Sequence, residues 1–394
     1  MGIHEFSKLW KKWKLMNELD RRGFLKMSAI SPMIFSGNNF AKGKSTNGAP
    51  PVNFNSDGLN LSPLHYTQLL LDIIEKKGIK DDYYSQKGVV AELEEKFARA
   101  LGKESAIFMP TGTLANQVAI RTLCGTKQKA LVQLESHIYN DSGDAVQTLS
   151  NINLIPLGGT NATFSLKEVQ ETLDRTKSGR VATQIGAISI ESPVRRKTGQ
   201  VFDFAEMRKI TAFAHENGIK THLDGARIYL ASAYSGIGVK EYSSLFDTVY
   251  VSLYKYFNAA SGAILAGEKS LIEPLFHVRR MFGSGLHQSW PFAAVALHYF
   301  DGFEERYAKS VKKSEAFLKR LSEKERFKVK RIENGTNISQ IEISGTSAEN
   351  FAQKLLKKNI LLTPRNEKTI NLLTNESILN LEMDELVESF EKAI

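Results

Sequence analysis

Two charged residues stand where two apolar, β-rich runs end. Thr221-His222-Leu223-Asp224 leads into Gly225-Ala226-Arg227, and Val249-Tyr250-Val251-Ser252-Leu253-Tyr254 leads into Lys255. A buried parallel strand reads as a continuous apolar run and delivers a functional group at its carboxyl end. An Asp and a Lys delivered from two such ends can do carbonyl chemistry. The amine condenses with an aldehyde, and the carboxylate keeps a heterocyclic nitrogen protonated. That combination is what pyridoxal 5′-phosphate requires. Strands also end in Asp and Lys simply because water is there, so the pair alone leaves both readings standing.

Two further segments could serve the same chemistry. Residues 106–109 are a short apolar run, Pro110-Thr111-Gly112-Thr113 reads as a turn, and Leu114, Val118 and Ala119 give the next stretch a helical stripe. Backbone N–H groups and the hydroxyls of Thr111 and Thr113 at a helix N-terminus form an anion site suited to a phosphate; a plain N-cap is the alternative. His137, in Glu135-Ser136-His137-Ile138-Tyr139-Asn140, follows the apolar stretch 130–134. It falls on the same edge as the other candidates, which favours a site role over a structural one.

The elements that must position these groups are legible between residues 104 and 267. β-like runs at 105–109, 130–134, 152–157, 185–190, 220–223, 248–252 and 262–266 alternate with helical patterns such as 205–217, which Gly218 closes. This predicts an α/β fold with a largely parallel sheet covered by helices on both faces. After Trp290 the pattern changes to a long helical region over 292–320, strands at 327–333 and 337–343, a helix over 348–358, a short segment at 360–363 and an acidic helix over 384–393. The expected division is a signal and linker over 1–50, a cofactor-binding large domain over 51–290 and a small α/β domain over 291–394.

The motifs in this order resemble the threonine aldolase / aromatic amino acid β-eliminating lyase family of fold-type I pyridoxal-phosphate enzymes. Pro110-Thr111-Gly112-Thr113, His137, Asp224-Gly225-Ala226-Arg227 and Ser252-Leu253-Tyr254-Lys255 carry the likeness. So do Asn55-Ser56-Asp57 and Asp81-Asp82-Tyr83-Tyr84. The similarity runs from about residue 52 to the C-terminus. It implies Lys255 as the lysine that holds the cofactor, Asp224 as the partner of the pyridine nitrogen, and His137 stacked on the ring and assisting as base. Thr111, Gly112 and Thr113 would hold the phosphate, with Arg279 and His287 in support. Arg227 would face the substrate carboxylate or the cofactor's phenolic oxygen, and Ser56 would sit on the substrate side. Tyr84 would reach a neighbouring subunit's site, so the expected assembly is a homodimer or homotetramer. The implied reaction cleaves the Cα–Cβ bond of a β-hydroxy-α-amino acid to glycine and an aldehyde. β-Elimination is the alternative chemistry, and cofactor binding without turnover is the non-enzyme alternative.

Four stretches depart from the family pattern. Tyr256-Phe257-Asn258-Ala259-Ala260 stands where a glycine-rich run follows the lysine, which suggests a substrate side chain other than threonine's. His287 replaces a phosphate-binding Arg, although Arg279 and Arg280 lie just upstream. The carboxylate-binding Arg of the small domain aligns near Asn371, with Arg365 as the nearest substitute; an Asn offers no charge and Lys368 only a point charge. Finally, Glu191-Ser192-Pro193-Val194-Arg195-Arg196 brings two arginines that read as solvated surface or as a relocated carboxylate anchor.

Composition narrows the remaining possibilities. The chain of 394 residues carries a net charge of +9, yet residues 1–44 hold nine Lys/Arg against three acidic residues and so account for six of those charges. The basic balance therefore describes a tail and does not point to nucleic acid. Asp20-Arg21-Arg22-Gly23-Phe24-Leu25-Lys26 resembles a twin-arginine export signal, followed by a moderately apolar stretch and a polar linker to about Gly48. A periplasmic or otherwise exported location is expected, with a basic extension on a cytoplasmic enzyme as the alternative. The single cysteine, Cys124, excludes an intrachain disulfide and reads as a buried small hydrophobe. No run reaches the roughly 18 apolar residues of a membrane span, and no Cys/His cluster has metal-ligand spacing. A small-molecule amino acid is the expected partner.

Overall fold

The computed structural model describes residues 50–394; the export-signal reading falls on residues that lie outside the described ones. Strand β1 (Val52–Asn53) is followed by β2 (Ser105–Met109), β3 (Lys129–Gln133), β4 (Asn153–Leu157), β5 (Ile185–Glu191), β6 (Lys220–Asp224), β7 (Thr248–Ser252) and β8 (Ala263–Gly267). Seven of these form one sheet in the order β2-β8-β7-β6-β5-β3-β4. β3 to β7 run parallel, while β8 runs antiparallel to both β7 and β2. Every residue of β5, β7 and β8 is buried, which is why these segments read as unbroken apolar runs rather than alternating ones. The α/β architecture expected from the sequence is the one found.

Register brings the chemistry to one level. Glu191 lies opposite Asp224, and Asp224 opposite Tyr250, so the last residues of β5 and β6 stand level with Tyr250, two residues before the end of β7. His222 lies opposite Thr248 one step back, and residues two apart on a strand share a face. The helix Gly112–Cys124 covers that face, and glycines set how close it comes. A Cβ on Gly112 would sit 1.9 Å from the Tyr250 hydroxyl, and one on Gly186 would sit 2.7 Å from the Cα of Cys124. Cys124 is buried, as expected, and burial pushes its thiol up to about 12.

In the C-terminal part, β9 (Phe327–Arg331), β10 (Ile338–Ile343) and β12 (Thr369–Leu373) form an antiparallel sheet, while β11 (Ile360–Leu361) pairs in parallel with β1. The long helix expected over 292–320 is two helices, Trp290–Phe300 and Phe303–Ser322. Gly302, at φ +70°, takes a left-handed conformation that breaks the run between them. A second apolar core gathers Phe317, Phe351 and Phe390, and the N-terminal arm supplies Val52 and Phe54 to it. That arm ties the start of the described chain to its end and carries Ser56 and Asp57 toward Lys255.

Candidate active site

The amine of Lys255 sits in a ring of charge. Burial and the guanidinium of Arg227 pull its pKa down to about 7, against the opposing pull of Asp224, Asp57 and Glu191. Arg227 donates from Nε to Oδ2 of Asp57 at 2.7 Å, and Asp57 accepts a second bond on Oδ1 from Nδ2 of Asn337 at 3.2 Å. Burial alone would raise Asp57; Arg227, Lys255 and Asn337 together hold it below the ordinary carboxylate range. Gly58 makes this approach possible, because a Cβ there would lie 2.2 Å from the backbone oxygen of Lys255. The terminal amino groups of Arg227 carry no hydrogen bond among the described residues, so one edge of the guanidinium remains for a ligand carboxylate.

Asp224 is buried at the end of β6 and accepts from Nδ2 of Asn116 at 2.6 Å and from the N–H of Ala226 at 3.2 Å. Asn116 lies one turn into the helix that Gly112 opens. Thr111 serves as the N-cap of that helix, its hydroxyl accepting the N–H of Leu114 at 3.2 Å. That hydroxyl accepts at the cap, which leaves its own O–H to donate to a phosphate. The first-turn N–H groups of Gly112 and Thr113 point out of the helix. His137 starts the next short helix, and its N–H donates to Oε2 of Glu191 at 2.5 Å. The other Glu191 oxygen accepts the N–H of Arg195 at 2.8 Å, so one carboxylate clamps two loops. Burial, reinforced by Asp224, pushes Glu191 up to about 7.

Several expected residues stand elsewhere. Arg279 is fully buried and donates to the backbone oxygens of Phe108 at 2.5 Å and Tyr84 at 3.0 Å, so it props these segments rather than offering its charge to a phosphate. Tyr84, at φ +52°, is held by the carbonyl of His287 and packs against the His287 ring at 5.4 Å. The exposed Arg280 lies 4.6 Å above the Tyr84 ring. Tyr84, Arg280 and His287 thus form one surface cluster. Ser56 donates to the backbone oxygen of Gly58 at 2.6 Å, inside its own turn. Arg365 is exposed beside the β12 hairpin, where its N–H donates to the backbone oxygen of Thr369. Arg195 and Arg196 pair with Asp141 and Glu135, which favours the surface reading of both.

Tyr256 and Phe257 correct an expectation. Both rings are buried and pack against Tyr229 and Phe303 in the main core, so neither narrows the space beside the lysine. Tyr254 faces outward instead, with the Lys255 amine 5.5 Å from its ring centre. A groove of about 520 Å³ lies alongside, lined by Leu61, Tyr66, Tyr254 and Asn258 among others.

Four residues of this network carry no role in the sequence reading: Asp57, Asn116, Glu191 and His222. Asp57 was visible beside Ser56, and His222 lies two positions before Asp224, on the same strand face. Their pairing across 170 and 106 residues was not visible.

The geometry agrees with what the chain resembles. A low-specificity L-threonine aldolase of Candida albicans is 31% identical over 224 residues, covering 56% of this chain and 59% of that protein. The low specificity L-threonine aldolase of Saccharomyces cerevisiae is 30% identical over 233 residues, 59% of either protein. The match thus spans about three-fifths of the length of these relatives. A Listeria monocytogenes protein assigned as an L-allo-threonine aldolase shares the fold, with a TM-score of 0.71, 24% identity, and coverage of 89% of this chain and 98% of that one. The family model for beta-eliminating lyases matches residues 72–344, well over half of the chain, and the protein belongs to that family.

Proposed function

We propose that the protein is a pyridoxal-phosphate lyase that cleaves the Cα–Cβ bond of a β-hydroxy-α-amino acid, releasing glycine and an aldehyde. The observation that carries this reading is the Lys255 amine, poised near neutrality beside the half-occupied guanidinium of Arg227 and the strand-end carboxylate of Asp224. The residues fit the cofactor that the family implies. Lys255 would hold its aldehyde carbon, Asp224 its ring nitrogen, and the first-turn N–H groups of Gly112 and Thr113 its phosphate. At Gly112 a side chain would strike Tyr250, so the backbone itself lines the cradle.

Once bound, the cofactor supplies the electron sink for the broken bond. The chain's own residues do the rest. The free edge of Arg227 binds the substrate carboxylate, and Asp57 keeps that guanidinium from rotating away. A ring nitrogen of His137 takes the β-hydroxyl proton as the bond breaks; Glu191 fixes the loop that presents it. Because Tyr256 and Phe257 are in the core, substrate breadth rests on the groove at Tyr254, which is roomy enough for a side chain larger than threonine's methyl. Tyr84, Arg280 and His287, gathered in one cluster near the surface, would complete the site of a second copy in a homo-oligomer with shared sites.

A panel of threonine, β-phenylserine and β-substituted amino acids, run across protein concentrations, tests both readings. Glycine plus aldehyde supports the lyase, whereas an α-keto acid plus ammonia moves the reaction to β-elimination. Turnover that weakens on dilution supports the shared site, and an active monomer overturns it.

Residues 1–48 are proposed to direct export and to play no part in catalysis. Replacing Arg21 and Arg22 together by Lys keeps the charge and removes the paired guanidinium groups. Turnover should be unchanged, while cell fractionation should find the variant retained in the cytoplasm. If wild type and variant fractionate alike, the signal reading fails.

A further inference from the structure

Behind Asp224 a polar chain runs away from the site into the sheet. Nδ2 of Asn116 donates to Oδ2 of Asp224 at 2.6 Å. Oδ1 of the same amide faces Nε2 of His222 at 2.9 Å, and Nδ1 of His222 faces the Thr248 hydroxyl at 2.8 Å. All four residues are at most 4% exposed. We infer that Thr248, His222 and Asn116 form a proton-ordered positioning chain that fixes both the orientation and the negative charge of Asp224 toward the cofactor's ring nitrogen. The inference rests on the pyridoxal-phosphate reading of the site and adds three residues to it.

The order of protons follows from chemistry alone. An ionised Asp224 only accepts, so the amide of Asn116 must present its NH₂ to it. The amide oxygen then faces His222, whose Nε2 must carry a hydrogen. Nδ1 is left bare and accepts from the Thr248 hydroxyl. Reversing any member sets two acceptors or two donors against each other in a dry environment, where an unmet polar group is expensive. Burial holds His222 down at about 4, so it stays neutral and the order persists at physiological pH. Register explains why the chain exists. β6 and β7 place His222 opposite Thr248, and the Gly112 helix lays Asn116 on the same face.

Four variants of the full chain test this: Asn116→Leu, His222→Leu, His222→Gln and Thr248→Val. Each is titrated with pyridoxal phosphate by absorbance, the pH response of the visible band is recorded, and unfolding of the cofactor-free protein is measured in urea. The cofactor dissociation constant should rise about 100-fold for Asn116→Leu, about 10-fold for His222→Leu and about 3-fold for Thr248→Val, in order of distance from Asp224. Gln at 222 keeps an N–H toward Asn116 and should recover most of the His222→Leu loss. The band of the weakened variants should also titrate at a different pH. Affinities that follow urea stability instead of this order, or a Gln variant no better than Leu, would show a merely structural role and overturn the proposal. Thr248→Val is isosteric and gives a reading even if the Leu variants do not fold. A wild type that takes up no pyridoxal phosphate overturns the lyase reading and this proposal together; a wild type that binds it while all variants match overturns the proposal alone.

Discussion

Replacing Lys255 by Ala should abolish turnover, by at least about 10³-fold, and remove the near-visible absorbance that pyridoxal phosphate acquires on condensing with a protein amine. The expectation is stronger than for an arbitrary surface lysine. At pH 7.4 an amine titrating at its usual 10.4 is free in roughly one molecule per thousand. Lys255, pulled to about 7 by burial and Arg227, is free in a far larger share. The rate at which cofactor-free protein captures pyridoxal phosphate should therefore climb through pH 7 and flatten above it. Only the unprotonated amine attacks the aldehyde, so the sign of this profile is fixed. A Lys255→Ala protein that keeps both the band and the activity would place the reacting amine elsewhere. A wild-type capture rate still climbing steeply above pH 9 would show that Lys255 titrates as an ordinary lysine.

The strand ends of this site were open to reading because burial on both faces leaves an apolar run that a single charge interrupts. Asp224 and Lys255 stand out for that reason, and so does the Gly112 turn. What stayed hidden depends on contacts that no local pattern encodes. The side chains of Tyr256 and Phe257 looked like walls of the pocket because they follow the lysine. The chain turns into the core just after Tyr254, and their apolar area is buried there. Arg279 looked like a free cation near a phosphate loop, yet burial obliges it to find acceptors, and two backbone carbonyls supply them for its terminal nitrogens. The break at Gly302 escaped because a single glycine within a helical pattern can be tolerated as well as end the helix. The strand Thr369–Leu373 escaped because its pairing to β10 is set from 30 residues away.

The pair Asp57–Arg227 gives a prediction whose two halves have opposite signs. Asp57 carries negative charge toward Lys255 and favours its protonated form; Arg227 carries positive charge and opposes it. Asp57→Asn should therefore move the midpoint of cofactor capture to lower pH, and Arg227→Gln should move it to higher pH. Stability should respond as well. The pair is 2.7 Å apart, with side chains 6% and 16% exposed, so Asp57→Ala leaves a guanidinium buried without its hydrogen-bonded counter-charge. Such a loss costs on the order of 3–5 kcal/mol, whereas Asn, which can still accept from Arg227, should cost less. Because the folded-state pKa of Asp57 is depressed, its contribution is present at neutral pH, begins to decline in the ordinary carboxylate range and is lost only as pH falls through the depressed value. Urea unfolding should thus separate Asp57→Ala from wild type more at pH 7 than at pH 3. Midpoints that shift in the same direction in Asp57→Asn and Arg227→Gln would mean that the two charges do not act on Lys255 through space. The near-neutral amine would then have to come from burial alone.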